Sequence, residues 1–322
     1  MPDSSKTEAE RVMQREFRKV VAAAACLALA AIILVAGYIV HRLPSRVELG
    51  HRALPLRYVP ISLGQDWLGP FAIVGTWQAS TDDPRFGGIS ALAIDGREFF
   101  AISDSGVVAR FPKPGAAPAY VSLDELPDGP GDPGFKFNRD SEALVADPGG
   151  RGWWVAFENR NALWLFDKGF SRVLERRSID AAGFGRNRGI EGMAVADGRL
   201  LLFPEVGGRA LRMNGQQVSI NGVNGWIGDA VALGNGDMLI ATRTLTPIGL
   251  INRMALMKRD RDGYRARAAW RIPVDRLGNV EALAVEARPD GALRLWIMTD
   301  NNLQQRRPTL LIALELRPRP AR

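Results

Sequence analysis

The sequence predicts an all-β protein, a six-bladed β-propeller, preceded by a single N-terminal transmembrane helix. Three observations support this architecture. Five segments repeat one unit, made of a short apolar strand, a glycine-containing turn and a second strand. An uncharged apolar run lies near the N-terminus, and no long amphipathic helix follows it.

The apolar run, residues 20–40 (VVAAAACLALAAIILVAGYIV), is long enough to cross a bilayer as a helix. A cleavable signal peptide has a shorter apolar part and a small-residue cleavage site, which we do not find here. A buried core helix is the other alternative. We therefore expect a retained signal anchor, with residues 1–19 as a cytoplasmic segment before it.

Orientation follows from the basic residues on each side of the run. Five precede it and four follow it closely, so the positive-inside rule favours a cytoplasmic N-terminus. The sequence thus predicts a single-pass protein of the inner membrane whose propeller lies on the periplasmic side. Residues 41–60, rich in arginine and proline, are predicted to be a tether.

The propeller domain is predicted over residues 61–322. The repeated units cover residues 88–106, 140–160, 189–208, 227–243 and 279–302. With Ser90, Glu142, Glu191, Asp229 and Glu281 taken as equivalent, the spacings are 52, 49, 38 and 52 residues. A four-stranded blade needs about 40 to 50 residues.

Two further strands, residues 71–79 and 309–316, lie at the two ends of the domain. Such terminal strands commonly share a blade and remove a sheet edge that would otherwise pair with other chains. Counted with the five repeated units, this blade makes six. A seven-bladed ring or another all-β arrangement remains open.

In an antiparallel hairpin, the start of the first strand lies beside the end of the second. A two-residue turn at Asp290 and Gly291 pairs Glu281 with Asp300. The same reasoning pairs Glu142 with Glu158, Glu191 with Glu205 and Asp229 with Arg243, and it places Asp104 at the end of the first unit. Because the first strand of each blade lines the central channel, these residues are expected on one rim.

Several chemistries are excluded by composition. The only cysteine, Cys26, lies in the apolar run, and the two histidines, His41 and His51, lie in the tether. A Ser-His-Asp triad or a His-ligated zinc in the domain would need a histidine that is missing. The net charge is +7, but no basic run is interleaved with aromatic residues, so we expect no nucleic-acid partner.

What remains for chemistry is carboxylates, amides and arginines. So many carboxylates on one rim require cations, and an oxygen-only ligand set suits Ca²⁺. Such an ion would bind a phosphate or polarise an ester, with one carboxylate activating water. The expected catalytic residues are Glu142, Glu191 and Glu281; the expected substrate-binding residues are Arg160, Arg243, Asn301 and Asn302; the expected metal ligands are Asp104, Glu158, Glu205, Asp229 and Asp300.

The motifs also resemble a known family. They are the E-A/G-L/M-A-V units at Glu142, Glu191 and Glu281, the T-D-N-N at 299–302 and the P-T-L-L at 308–311. Together with the intervening acids and Arg243, they are similar to the phytase-like domain described as "esterase-like activity of phytase", over residues 87–316. The resemblance implies an envelope propeller with phosphoester or carboxylester hydrolase activity. The chain departs from the pattern at Asp229-Ala230-Val231 and at Leu303. The R-H-G signature of histidine acid phosphatases, a different class, is absent, so a phosphohistidine mechanism is excluded.

Two hypotheses from different classes stay open. The first is a membrane-anchored, Ca²⁺-dependent hydrolase of a small anionic or ester substrate. The second is a non-catalytic propeller whose rim binds an anionic ligand or an envelope protein partner. A third possibility concerns single residues, since each acid can instead be held by backbone amides or an arginine of the next blade.

Overall fold

The structure is a computed structural model that describes residues 8–41, 53–179, 189–247, 249–274, 278–301 and 308–316. Helix α1 (Glu8–His41) comes first and contains the predicted 20–40 segment. Its segment Val12–Val35 contains a long apolar stretch that is not buried against the rest of the protein. By length and composition, α1 is therefore able to cross a membrane as a single-pass anchor. The side of the membrane on which the propeller lies stays a prediction.

Four strands precede the first repeated unit: β1 (Ala53–Pro55), β2 (Arg57–Pro60), β3 (Trp67–Leu68) and β4 (Phe71–Ser80). The first two lie in the predicted tether, so that prediction is wrong for residues 53–60. The reason is that Leu56, between them, is buried and donates its backbone N–H to the carbonyl oxygen of Ala119 at 3.0 Å. The propeller therefore begins before residue 61.

The repeated units form the inner hairpins of five blades. Blade 1 contains β5 (Ile89–Asp95), β6 (Glu98–Ser103), β7 (Val107–Pro112) and β8 (Tyr120–Glu125); blade 2 contains β9 (Ser141–Ala146), β10 (Gly152–Phe157), β11 (Ala162–Asp167) and β12 (Val173–Ser178). Blade 3 contains β13 (Ile190–Ala196), β14 (Arg199–Pro204), β15 (Arg209–Arg212) and β16 (Gln217–Asn221). Blade 4 contains β17 (Trp226–Ala232), β18 (Met238–Thr246), β19 (Gly249–Asp260) and β20 (Gly263–Arg271); blade 5 contains β21 (Asn279–Ala287), β22 (Leu293–Asp300) and β23 (Thr309–Leu316), completed by β4.

The predicted all-β propeller is confirmed, and its ring closes with five blades in the part of the chain that the structure describes. The inner strands β5, β9, β13, β17 and β21 pack side by side in that order, and β21 packs against β5. The expected count of six treated the terminal strands as a separate blade. Instead β4 pairs with β23 and completes the sheet of the fifth repeated unit, because β22 has a free edge that β23 fills.

The outer edges of the blades are covered in different ways. β1 pairs with β8 in blade 1, and β2 pairs with β4 in blade 5. Blades 3 and 4 share one sheet because β16 and β20 pair in parallel. This pairing needs Gly263, where an added Cβ would lie 2.1 Å from the carbonyl oxygen of Ser219. Covered edges do not offer backbone groups to other chains.

The hydrophobic core lies between the blades. Between blades 5 and 1, for example, Trp296 meets Phe99 edge-to-face with ring centroids 5.0 Å apart, and Phe99 in turn contacts Phe111. Each blade buries apolar side chains from both faces of its sheet, so the blades stack rigidly around the axis. Polar side chains at the strand ends are thereby held at defined positions around the channel mouth.

Candidate functional site

The five inner hairpins share an irregularity near the start of the inner strand. In each one the pairing register shifts by one residue, and the skipped residues are Ser90, Glu142, Glu191, Gly228 and Glu281. A β-bulge of this kind re-aims the side chain of its extra residue. In three of the five bulges the residue skipped by the strand pairing is therefore a glutamate.

The second strand of each hairpin ends beside the bulge. Asp104, Glu158 and Glu205 directly follow β6, β10 and β14, while Arg243 and Asp300 lie within β18 and β22. Together with the bulges they surround one cavity of about 290 Å³, lined by Gly88, Ile89, Ser90, Asp104, Glu142, Glu158, Glu191, Glu205, Arg243, Glu281 and Asp300. The predicted convergence of separate hairpins on one mouth is therefore present, with seven carboxylates and one arginine.

The register inside the hairpins differs from the expectation. Asp300 lies opposite Asn279, not Glu281, and Arg243 lies opposite Trp226, not Asp229. In blade 5 the turn is longer than two residues, because Ala287 pairs with Leu293, and the bulge then shifts the pairing again. The acids still meet because the bulge turns them toward the same space.

One side of the cavity is organised around Arg243. Its Nη2 lies 3.3 Å from Glu205 Oε1 and 3.6 Å from Glu191 Oε2, and its Nη1 forms an ion pair with Glu281. Asn279 Nδ2 also donates to Glu281 Oε1. Burial lowers the pKa of the Arg243 guanidinium, but the carboxylates of Glu281, Glu191 and Glu205 raise it more, so the side chain stays charged.

The other side of the cavity contains a compact acidic cluster. One ligand atom from each of Asp140, Glu142 and Glu158 lies within 4.8 Å of the others, a spacing that suits a bound metal ion. Lys136 Nζ contacts Asp140 Oδ1 at 2.7 Å and Asp104 Oδ2 at 3.1 Å. Asn159 Nδ2 donates to the second oxygen of Asp140.

Burial and mutual repulsion raise the pKa of the cavity acids. Burial raises the pKa of Glu281 to about 8. The Arg243 guanidinium opposes this shift, and the Asp300 carboxylate adds to it. Burial, followed by the Asp140 carboxylate, raises the pKa of Glu158 to about 7. Burial and neighbouring carboxylates also raise the pKa of Glu142 and of Glu191 well above the usual range. Protons or a cation must therefore neutralise this group near pH 7.

Four residues expected at the site are elsewhere or not described. Asp229 is buried between blades 4 and 5, where its Oδ1 accepts from the Ala230 N–H and its Oδ2 from the Leu283 N–H, each at 2.7 Å. Its carboxylate therefore joins two blades and does not line the cavity. Arg160 donates to Asn138 Oδ1 at 2.8 Å and is exposed, outside the cavity. The position of Asn302 lies outside the described residues.

Asn301, the fourth of them, ties blade 5 to blade 1. Its Oδ1 accepts the Gly88 N–H at 3.0 Å, and an added Cβ on Gly87 would lie 2.5 Å from that same oxygen. Asn301 therefore sets how closely the two blades approach, beside the cavity and not in its lining. Sequence reasoning placed it correctly at the hairpin end, and its expected role in substrate binding stays a prediction.

Sequence reasoning missed Asp140, Lys136 and the identity of the fourth bulge. Asp140 comes two residues before the bulge of blade 2, outside the strand pattern. In blade 4 the bulge is Gly228, not Asp229, and the apolar residue that precedes the bulge in blades 1, 3, 4 and 5 (Ile89, Ile190, Ile227, Val280) would have shown it. A side chain is excluded there, because a Cβ on Gly228 would lie 2.9 Å from Glu281 Oε2.

The donor set decides which ion could be held. Cavity and cluster offer carboxylate oxygens without histidine or cysteine, which suits a hard cation such as Ca²⁺. Asp104 Oδ1 is buried without a hydrogen-bond partner in the described structure. A buried acceptor without a partner destabilises the folded protein, so a cation bound to this oxygen would be favourable.

Comparison with solved structures gives matches at low identity, with TM-scores below 0.5. Hydrazine synthase of Kuenenia stuttgartiensis is 13% identical, with a TM-score of 0.40 over 72% of this chain and 64% of that chain, less than two thirds of its length. A Bacteroides caccae protein of unknown function is 13% identical, with a TM-score of 0.42 over 81% of this chain and 90% of that one. A structure of U3-55K is 9% identical, with a TM-score of 0.39 over 83% and 100%. Among curated proteins, the comparison finds no match.

A family model gives the more specific result. It matches residues 84–303, which include all five bulges and the strand ends that surround the cavity. The match covers more than half of the chain and agrees with the motifs at Glu142, Glu191 and Glu281. The chain therefore belongs to the Phytase-like family, described as "Esterase-like activity of phytase".

Proposed function

We propose that this protein is a membrane-anchored, cation-dependent hydrolase of phosphate or carboxylic esters that works at the mouth of its propeller. The observation that supports this most directly is the convergence of seven carboxylates and one arginine on a single cavity. Such a surface repels an anionic ester unless a cation is present. A requirement for a divalent cation, with Ca²⁺ as the first candidate, follows from that charge.

In this proposal Asp140, Glu142 and Glu158 hold the cation, because their oxygens are already close enough to share one ion. A bound divalent ion would supply a positive charge for an ester or phosphate oxygen. Rotation of the Asn159 amide would turn its oxygen toward the bound ion. Glu142, expected from the sequence to be catalytic, is thereby proposed as a ligand.

The proposed proton transfers belong to the Arg243 side of the cavity. Once a substrate anion has taken the place of Glu281 beside Arg243, the raised pKa of Glu281, about 8, lets it hold a proton at neutral pH and give that proton to a departing alkoxide. Glu191, 3.6 Å from the Arg243 guanidinium, can take a proton from an attacking water once it is ionised. Arg243 would orient a negatively charged substrate oxygen, as it already does for the carboxylates.

The test uses the full-length protein in detergent with a panel of phosphate monoesters and short acyl esters, with and without Ca²⁺. Glu281→Gln and Glu191→Gln are each expected to reduce kcat at least about 100-fold, the usual contribution of a general acid or base. Asp260→Asn, at the end of β19 and paired with Arg265, is the control and is expected to keep wild-type turnover. Wild-type rates in both glutamine variants would overturn the proposed roles.

A second function, non-catalytic binding at the same mouth, is favoured by one observation. Several acids are already used to join blades, as Asp229 and Glu281 show, so the ring of acids also has a structural use. This alternative predicts saturable, cation-dependent binding of an anionic ligand or an envelope protein, with no turnover of any ester in the panel. The proposed location in both cases is the extracytoplasmic side of the inner membrane.

A further inference from the structure

Lys136 places a positive charge of the protein itself beside the acidic cluster. It begins a short 3₁₀ helix (Lys136–Asn138) at the end of a glycine- and proline-rich loop, residues 128–138. Its Nζ lies 2.7 Å from Asp140 Oδ1 and 3.1 Å from Asp104 Oδ2, and its side chain is 27% exposed. The side chain therefore bridges blades 1 and 2 at the margin of the cavity.

The loop is built to present this lysine. Asn138 donates through its Nδ2 to the Asp132 carbonyl oxygen at 2.8 Å, and its Oδ1 accepts from Arg160. The buried Arg139 donates through Nη1 to the Pro130 carbonyl oxygen at 2.6 Å. These bonds hold the loop in shape from both sides of Lys136. Its position is thus a property of the folded loop and not of one long side chain alone.

Lys136 and a metal ion would use the same oxygens. Of the three residues in the acidic cluster, Asp140 has both oxygens occupied, one by Lys136 and one by Asn159. An ion that binds Asp140, Glu142 and Glu158 therefore either takes over the Asp140 oxygen that the ammonium holds or binds directly beside that ammonium. Two positive charges this close repel each other strongly in a partly buried setting.

We propose that Lys136 is a tethered competitor that lowers the affinity of the acidic cluster for divalent cations and is displaced from Asp140 when such a cation binds. Displacement would release the end of the loop from Asp104, which lines the cavity, so cation binding and the charge at the mouth would be linked. This inference rests on the proposed function, because it concerns regulation of the same cation site. Asp104 Oδ2, which also contacts Lys136, would be released in the same step.

The first experiment measures cation affinity by calorimetric titration of the full-length protein in detergent with Ca²⁺. Lys136→Met is expected to bind Ca²⁺ about tenfold more tightly than the wild type, since it removes a charge from the cluster. Lys136→Arg keeps the charge and is expected to stay within about threefold of the wild type. The matched control is Lys258→Met, which removes a lysine that pairs with Asp237 at a turn of blade 4.

The second experiment tests displacement in the wild-type protein. Each lysine is labelled with an amine-reactive reagent, with and without saturating Ca²⁺, and read by mass spectrometry. We expect Lys136 to react several-fold faster with Ca²⁺, because an amine released from Asp140 and Asp104 is more accessible to the reagent. Lys258 should react at the same rate in both conditions.

The outcomes separate this inference from the proposed function. If the wild type binds Ca²⁺ and Lys136→Met binds it equally or less tightly, Lys136 does not compete, while the cation site stands. If Lys136→Met binds Ca²⁺ and the wild type does not, the competitor role is supported in its strongest form. If neither binds, both the competitor role and the cation-dependent function are wrong.

Discussion

The two sides of the cavity contain similar acids but neutralise them differently. On the side of blades 3, 4 and 5, Arg243 extends from the inner hairpin of blade 4 and pairs with three glutamates. On the side of blades 1 and 2, the basic group is Lys136. It lies on a loop and contacts Asp104 and Asp140 at the edge of the cavity. A basic side chain on a strand is held in place by the sheet, whereas one on a loop can move away and leave its carboxylates to a metal ion. The first side is therefore suited to structure and proton transfer, and the second to binding an ion.

The largest effect is expected from removing the permanent cation. Arg243→Met leaves Glu191, Glu205 and Glu281 without a positive partner, so we expect the free energy of unfolding to fall by about 3 kcal/mol or more. Chemical denaturation of the full chain, with the propeller followed by tryptophan fluorescence, measures this. Arg259→Met, which breaks an exposed pair with Asp197, is the control and should cost less than about 1 kcal/mol. Equal losses in the two variants would show that Arg243 is not a structural centre.

The exchangeable side is expected to respond in ligand binding more than in stability. Glu142→Gln removes the negative charge of one proposed ligand, so Ca²⁺ affinity should fall about 10- to 100-fold. The free energy of unfolding should stay equal or rise without Ca²⁺, because a buried carboxylate under repulsion is replaced by a neutral amide. Calorimetric titration and denaturation of the same preparation check both parts. A loss of stability as large as that in Arg243→Met would remove the distinction between the two sides.

Stability and Ca²⁺ affinity should depend on pH in opposite directions. Folding raises the pKa of Glu281 to about 8 and of Glu158 to about 7, so the folded state binds more protons than the unfolded state above about pH 4.5. Stability without Ca²⁺ is therefore fully present below about pH 4.5 and declines as pH rises through 7 to 8. Ca²⁺ affinity changes in the opposite direction, rising through pH 7 as Glu158 loses its proton. Denaturation and calorimetry from pH 5 to 9 measure both, and a stability that rises with pH would contradict the assignment.

The smallest effect is expected at the one glycine among the bulges. Gly228→Ala brings a Cβ to 2.8 Å from the Val280 carbonyl oxygen and 2.9 Å from Glu281 Oε2, so we expect a loss of about 1 to 2 kcal/mol. Gly207→Ala is the matched control, since its added Cβ would meet no atom closer than 3.9 Å. Thermal denaturation of both variants measures the difference. Identical stability would mean that the bulge of blade 4 has room for a side chain beside Glu281.

Much of the candidate site was predictable because it depends on local hairpin geometry. An apolar strand, a turn and a second strand place Glu142 near Glu158 and Glu191 near Glu205 regardless of the number of blades. The bulges were less accessible, because one extra residue changes the alternation pattern only slightly. That small uncertainty was enough to assign the fourth position to Asp229 in place of Gly228.

The remaining differences arise from contacts between residues far apart in the chain. The terminal strands β4 and β23 fill the edge of β22, so the ring has five blades and not six. Lys136, on the loop between blades 1 and 2, contacts Asp104 of blade 1. The carboxylate of Asp229 accepts a hydrogen bond from the Leu283 N–H of blade 5. None of these contacts leaves a periodic pattern in the sequence.

The sequence by itself determined the apolar N-terminal helix, the all-β propeller class and the set of acids at the hairpin ends, because each depends on hydrophobic periodicity and turn chemistry over a few neighbouring residues. Only the tertiary structure decided how many blades close the ring, which acids face the cavity and which cation each one meets. The physical reason is that these features depend on packing between blades, where a carboxylate's partner is set by distance in space and not by position along the chain.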